Sequence, residues 1–528
     1  MKVALISTSW SIPNDYMDRL RVPYPIGPLQ LAAVLEKQGI EVLLIDQLGE
    51  GWDQKKDMCD HTIIGLSDNE VITKLNNFIP DFIGIGSLFT SQRDNVIRLA
   101  KTIKKNFTNV PIIIGGVDAS ICYQDLLLDT PEIDYVITGE ADESFLELLL
   151  TLYAQSDIKN VLGVAYRYYD KTLCSKYPGI QKNKNGHLCL IIPNKSYQIC
   201  YTGKRSVVQN LNNLPMPAYH LLNFQKYFDA GTAGLSSRGI TVNKWMSIFT
   251  SRGCPYHCNF CSINLVNGRK WRGKDSKKVL DEIEYLYNIH GINYFFIEDD
   301  NMTLDVKRAE LIFKGILKRR LKISFEFPNG IRADTMTSRL AKIMKKAGCK
   351  KVIFGVENGN QEFLKNTIHK NLDLNKVISA TEICYKEGIE VGGFFIIGIP
   401  GETLSIMLSS IWFAMRCASR GMAPGFTLAT PLPGTEMYEE ASHKGYIRKK
   451  QPLTPTDYLK SYSEPLMTTP NFTNGQLSVW KKIATILCVV TLLVSHPSEI
   501  LKTNTFQEIK KNPGMIFKKI GAVLKGST

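Results

Sequence analysis

No apolar run in these 528 residues reaches the roughly 18 needed to cross a bilayer. The longest, Ile483 to Val494, spans 12 residues, is broken by Thr485, Cys488 and Thr491, and follows Lys481 and Lys482. It is expected to be a buried helix rather than an interfacial segment. The opening MKVALISTSW has too short an apolar core for a signal peptide and reads as a first strand. Cysteine is sparse. Of 12, nine stand singly (Cys59, Cys122, Cys174, Cys189, Cys200, Cys349, Cys384, Cys417 and Cys488), as free thiols do in a reducing compartment. A cytoplasmic location is therefore expected. No GxGxxG follows the first strand, which argues against a dinucleotide. Nucleic acid is not expected as a partner, because no recognition module or aromatic-basic interleaving is present. The 44% apolar and 22% charged composition rules out a disordered or collagen-like chain.

What is abundant is positive charge, and it is unevenly spread. The net formal charge is +14, and His443 to Thr528 holds 13 Lys and Arg against 4 Asp and Glu. That C-terminal balance of +9 fits a solubilising basic helical tail or contact with an anionic substrate, partner or membrane face.

The pattern implies an α/β protein with a doubly wound first domain, residues 1–150. KVALIS (2–7), VLLID (42–46), FIGIGS (82–87), PIIIGG (111–116) and YVITGE (135–140) are continuous apolar runs, and Leu29 to Gln38 has helical spacing. Continuous rather than alternating runs mark strands of a parallel sheet buried on both faces. Ligands bind such sheets beyond the carboxyl ends of the strands. Here those ends are Ser87, Leu88, Phe89 and Thr90, then Gly115, Gly116 and Val117, then Gly139 and Glu140. Residues 151–245 read as a connector with a hairpin around Lys182 to His187. From Met246 six strands follow: MSIFTSR (246–252), YFFIED (294–299), SFEFPNG (324–330), KVIFGVEN (351–358), EVGGFFIIGIP (390–400) and GFTLATPL (425–432). Helical patterns lie between them, at Lys277 to Asn288, Asp305 to Arg319 and Thr337 to Lys346. Six β-α repeats without a reversal predict a partial barrel over 246–435, with polar residues at its C-terminal strand ends. Residues 436–528 read as helical and irregular, with Pro452, Pro455 and Pro465 marking a linker.

The chemistry concentrates in SRGCPYHCNFCS, in the loop after the first barrel strand. Cys254, Cys258 and Cys261 can wrap one metal site. Structural zinc normally needs four protein ligands, and His257 would have to turn back beside Cys258 to be the fourth. Three thiolates on a four-iron cubane instead leave one iron open to a substrate or cofactor.

CxxxCxxC with Phe260 before the third cysteine, on the first loop of a β/α barrel, resembles the radical S-adenosylmethionine superfamily. The upstream segments YPIGPLQLAAVLEKQGIEVLLID, DFIGIGSLFTS and PIIIGG, with LPMPAYHLL, EDDN and FFIIGIPGET, are similar to its cobalamin-binding members over about residues 1–440. Within that group EGW (50–52), GLSDNE (65–70) and SQRDNV (91–96) look most like the phosphonate C-methylases. The resemblance implies a 4Fe-4S cluster on the three cysteines, S-adenosylmethionine on its open iron, and cobalamin in the first domain. It further implies that Phe260, Glu298, Asp299, Asn329, Arg332, Glu357, Gly398 and Gly401 contact S-adenosylmethionine. Cobalamin would meet Tyr24, Pro25, Gly27, the Ser87–Ser91 loop, Gly115–Val117, Gly139 and Glu140. The DxHxxG motif of many cobalamin domains is absent. Asp60-His61-Thr62 has the wrong spacing, so His61 reads as a surface loop residue and the Leu88 to Ser91 loop is placed under the cobalt.

The implied activity is methylation of an unactivated carbon of a small, anionic, phosphonate-like substrate. One S-adenosylmethionine methylates cobalamin, a second yields a 5′-deoxyadenosyl radical that takes a substrate hydrogen, and methylcobalamin supplies the methyl. Such enzymes take electrons from a donor such as flavodoxin or ferredoxin. A rearrangement or cyclisation without net methyl transfer shares every motif. Ile509 to Leu524, with paired lysines among apolar residues, keeps a lipid substrate or peripheral membrane contact through the tail open.

Overall fold

The computed structural model describes residues 1–14, 17, 22–169, 179–182, 186–192, 195, 197–231, 242–447, 453–461 and 464–497. It divides into two units, the first comprising Met1–Asn14, Val22–Ala230 and Leu265–Gly268, the second the remainder.

The first unit is built on β1 (Lys2–Ser7), β2 (Glu41–Asp46), β3 (Phe82–Gly86), β4 (Ile112–Gly115), β5 (Tyr135–Ile137), β6 (Val164–Tyr169), β7 (Gly179–Lys182), β8 (Leu188–Ile191) and β9 (Tyr197–Tyr201). The sheet order is β7-β8-β9-β6-β5-β4-β3-β1-β2. β1 to β5 pair in parallel, and β6 to β9 continue the sheet antiparallel. The parallel part thus runs 2-1-3-4-5, reversing between β1 and β3, the place where such sheets open a crevice. Its apolar runs are continuous because both faces are covered. Ala4 and Ile6 join the core under α2 (Asp68–Phe78) and α3 (Arg93–Asn106). Val3 and Leu5 join the opposite core under α1 (Ile26–Glu36) and α6 (Ala141–Tyr153), while α4 (Val117–Ile121) and α5 (Tyr123–Asp129) follow β4.

Three expectations change here. Strands β6 to β9, within residues 151–245 read as a connector, extend the first sheet; they are recruited through main-chain pairing of β6 with β5, which no local pattern announces. Cys189 and Cys200 are not free thiols but are disulfide-bonded, because antiparallel register sets them opposite each other on β8 and β9. His61 lies not in a loop but at the start of a short strand, His61–Ile64, paired with Trp10–Pro13, and its Nδ1 meets Asp60 at 2.8 Å. The hairpin expected around Lys182 to His187 is formed by β7 and β8.

The second unit carries six parallel strands in chain order: β10 (Trp245–Ile248), β11 (Tyr294–Ile297), β12 (Ser324–Glu326), β13 (Cys349–Glu357), β14 (Glu390–Ile397) and β15 (Met422–Leu428). This is the expected partial barrel. Its helices are α7 (Ser276–His290), α8 (Val306–Lys318), α9 (Ser338–Ala347), α10 (Leu374–Lys386) and α11 (Leu404–Ala418). Most begin at a side-chain cap, among them Asp305, Thr337, Asp373 and Thr403, which satisfies an otherwise orphaned N–H.

A long helix, α12 (Asn474–Ser495), packs on β15 and α11. It contains the run Ile483 to Val494, and the expectation of burial fails. Only Leu477, Ala484 and Cys488 are buried along its 22 residues. By length and composition it is the one helix among the described residues that could cross a membrane. The stretch Ile509 to Leu524 lies outside the described residues.

Candidate active site

The cysteine loop leaves β10 under tight control. Asp299, fully buried, accepts from the Thr250 N–H at 2.6 Å and from the Thr250 and Ser251 hydroxyls, each at 2.5 Å. Arg308 donates to the Thr250 carbonyl at 2.6 Å. Burial pushes the Asp299 carboxyl up, against the pull of these donors. Gly253 then turns at φ +85°, its N–H donating to Asp300 Oδ2 at 2.8 Å. Asn259, between the second and third cysteines, locks the far side of the loop. Its N–H donates to the Ile368 carbonyl at 3.1 Å and its side-chain amide to the Thr367 carbonyl at 2.8 Å. Its own carbonyl accepts from the Met437 N–H at 3.0 Å.

Cys254, Cys258 and Cys261 are partly buried and free of disulfides. Burial raises all three thiols, Cys261 up to about 12, while the Lys370 ammonium and the Arg332 guanidinium pull Cys254 and Cys258 back down. Metal coordination deprotonates a thiol outright, so burial does not prevent ligation. No three His, Cys, Asp or Glu side chains among the described residues converge on one ion. The three thiols lie close enough to feel one another's charge; three protein sulfurs suit a four-iron cubane with one open iron, whereas a closed zinc site takes four protein ligands. His257 is exposed and hydrogen-bonds Arg269.

Around this loop the structure brings the strand-end residues to β11, β12, β13 and β14. Glu298 accepts from the Ser247 hydroxyl at 3.1 Å, and its carbonyl from the exposed Asn329 amide at 2.7 Å. Arg332 is buried, stacks its guanidinium 3.9 Å over the Tyr256 ring, and pairs with Asp334 at 2.5 Å. Glu357, at the bulged end of β13, adopts φ +69° and pairs with the buried Lys370 at 2.9 Å. A left-handed glutamate is a strained conformation of the sort that clusters at functional sites. Gly398 and Gly401 turn at φ +88° and +85°. Phe260 is half-buried.

Two anchors went unread in the sequence. Lys370 sits in a polar stretch with no spacing to mark it. Glu402 follows the Gly-Ile-Pro-Gly turn and holds it from inside, accepting from the Gly398 N–H at 2.7 Å and the Asn358 amide at 3.0 Å. Burial raises its carboxyl to about 7.

In the first unit, Ser87 is buried and donates to Asp118 at 2.8 Å; Arg93 donates to the same carboxylate at 2.9 and 2.5 Å. Burial opposes the charge on Arg93, yet its hydrogen bonds to the Asp118 carboxylate hold it protonated. This network fixes the turn from which Leu88 (53% exposed) and Phe89 (47% exposed) project, Phe89 edge-on to Trp10 at 5.7 Å. Thr90 and Ser91 form a single 3₁₀ turn. Gly116, at φ +117°, lies so close to the Ser87 carbonyl that a Cβ would collide with it, and Gly115 faces open space. Val117 opens α4, and the Gly139 N–H donates to Ser120 Oγ at 2.9 Å. Glu140 accepts from the Val208 N–H at 2.7 Å. These segments therefore share one end of the sheet. Tyr24 and Pro25 precede α1 at the same end of the sheet and are buried, and the Tyr24 ring stacks 4.2 Å from Tyr227, which bonds Asp46 at the last position of β2. Gly27 lies exposed in the first turn of α1.

Family models agree with both units. A B12-binding domain matches residues 20–149, and the radical SAM superfamily matches residues 248–410. The chain is 30% identical, over 90% of its length and 87% of the relative's, to a cytidylyl-2-hydroxyethylphosphonate methyltransferase of Streptomyces wedmorensis. It is 29% identical to an uncharacterised methyltransferase of Pyrococcus horikoshii, covering 86% of this chain and 85% of that one. The fold is that of the radical S-adenosylmethionine methyltransferase TsrM from Kitasatospora setae, at a TM-score of 0.65, 17% identity, and coverage of 95% and 90%. A 4Fe-4S cluster, S-adenosylmethionine and cobalamin are accordingly its cofactors. With three thiols at the end of β10 and a cobalamin domain before them, this chain belongs to the cobalamin-dependent radical S-adenosylmethionine methyltransferases.

Proposed function

We propose that the enzyme methylates an unactivated carbon of a small anionic substrate of the phosphonate class, carried as a nucleotide conjugate. The observation that carries this reading is identity extending over nine-tenths of the chain to a methyltransferase named for a cytidylylated phosphonate. When bound, the cofactors supply a methyl group and a radical able to take hydrogen from carbon. The chain's own part is to hold and shield them. Cys254, Cys258 and Cys261 would ligate the cluster. Glu298, Asn329, Arg332, Glu357 and the Gly398–Gly401 turn would surround S-adenosylmethionine, with Asp299 acting through the strand end it pins. Tyr24, Pro25, Gly27, Ser87 to Ser91, Gly115 to Val117, Gly139 and Glu140 would line the cobalamin site, and the apolar Leu88 and Phe89 would offer it no titratable ligand. A flavodoxin- or ferredoxin-type donor would reduce the cluster in the cytoplasm, and the basic tail would touch an anionic membrane face.

The test is anaerobic reconstitution with labelled S-adenosylmethionine and a panel of free and cytidylylated phosphonates. The expected products are a labelled C-methyl compound, S-adenosylhomocysteine and 5′-deoxyadenosine. Deoxyadenosine without S-adenosylhomocysteine would replace methylation by rearrangement. Turnover of substrates lacking a phosphonate, and of none that carry one, would overturn the substrate class.

A further inference from the structure

Helix α12 has two apolar stripes on opposite sides. Leu477, Ala484 and Cys488 recur at steps of 7 and 4 and are buried. Val479, Ile483, Ile486, Val490 and Leu493 recur at steps of 4, 3, 4 and 3 and are exposed, Val479 at 54% and Val490 at 50%. At 3.6 residues per turn the second stripe lies about half a turn round from the first. A helix on a protein surface normally turns charge outward; from Ile483 to Val494 there is none. The neighbouring α11 repeats the pattern, with Leu404, Leu408 and Trp412 exposed at four-residue steps and Trp412 at 64%.

Both ends of α12 are fastened to the barrel. Leu477 packs so closely on Gly398 that a Cβ there would meet it at 2.9 Å. His496 lies 3.1 Å from the Ser419 carbonyl, and its ring lies 4.6 Å from that of Tyr385. The helix is thus laid along β15 rather than free to span. Directly after it, residues 498–528 carry six lysines and two glutamates. An apolar face in the membrane plane, followed by a basic segment, is the arrangement that binds anionic bilayers at their surface.

We propose that the outer stripe of α12 lies in the interfacial region of an anionic lipid bilayer. The proposal stands on the exposed helix and does not depend on the methyl-transfer reading; it adds the barrel's edge to the contact proposed for the basic tail. The experiment is co-sedimentation of the full-length, cofactor-loaded protein with vesicles of phosphatidylcholine alone or mixed with phosphatidylserine. Binding to the anionic vesicles is expected, with a loss of roughly tenfold or more on paired Ile486→Glu and Val490→Glu substitution. Paired Ile486→Ser and Val490→Ser, which add no charge to repel headgroups, should lose binding as well. Iron and corrinoid content should be unchanged in both variants. No binding by the unaltered protein would overturn the proposal. So would full binding by both variants, which would assign the contact to the lysines alone. A dimer that the substitutions dissociate without lipid would show that a second copy covers the stripe. Stronger binding after removal of residues 498–528 would show that the tail covers it.

Discussion

The loop after β3 and the loop after β10 occupy equivalent positions, each at the carboxyl end of a parallel strand, yet they are held in different ways. The first is braced locally: Ser87, Arg93 and Asp118 close a buried network within 31 residues, and what projects is apolar. The second presents three thiols and is braced from afar, Asn259 reaching Thr367, Ile368 and Met437. The difference teaches how each loop would hold its cofactor. Thiolates make bonds to iron, so a few residue types at fixed spacing suffice and the motif is legible. A loop that holds a flat macrocycle by shape needs only a fixed backbone, and many sequences can provide one.

The comparison breaks if either loop fails to act separately. Cys254→Ala, Cys258→Ala or Cys261→Ala should remove nearly all cluster absorbance and iron, while corrinoid content and circular dichroism stay as they were. A variant keeping its full iron would refute the ligand assignment. Next in size, Arg93→Met strands the Asp118 carboxylate in the first core. Breaking a buried pair in this way costs about 3–5 kcal/mol, so chemical denaturation should show a large loss, with corrinoid falling and iron retained in the chain that stays folded. Equal loss of both cofactors would mean that the two loops are not independent.

A smaller effect follows from Glu402. Its carboxyl, raised by burial to about 7 against 4.5 when unfolded, keeps a proton in the folded chain that the unfolded chain has released. The stability it contributes is whole below pH 4.5 and is lost as pH rises through about 7, with a slope of at most about 1.4 kcal/mol per pH unit. Glu402→Gln should flatten that part of the melting-temperature profile; an unchanged profile would mean that the carboxyl is ionised in the folded protein. Smallest of all, deleting residues 503–528 should leave corrinoid binding unaltered by spectrophotometric titration, since the segments proposed to hold it lie between residues 24 and 140.

Much of this was legible because it is local. Strand runs such as KVALIS and FIGIGS are apolar on both faces, and the cysteine spacing names its own chemistry. The rest depends on partners distant in sequence. Nothing in the sequence of β6 says that it will pair with β5. Nothing around Lys370 says that it will neutralise Glu357. The run Ile483 to Val494 is apolar enough for a core, and only the placement of Leu477, Ala484 and Cys488 reveals that its other side has no protein over it among the described residues.

The bracing of Asn259 also bears on when the enzyme can be completed. The cysteines are made about midway through the chain, but the carbonyls of Thr367 and Ile368 follow 108 and 109 residues after Asn259, and the Met437 N–H 178 residues after it. At synthesis rates of about 5–20 residues per second, that is a delay of roughly 10–35 s. Until then the loop lacks three of the hydrogen bonds that fix it, so a cluster inserted during translation would meet thiols not yet held in place. The cysteines are therefore held in their final places only once the barrel is nearly finished, so the loop that would receive a cluster is a property of the completed chain rather than of the nascent one.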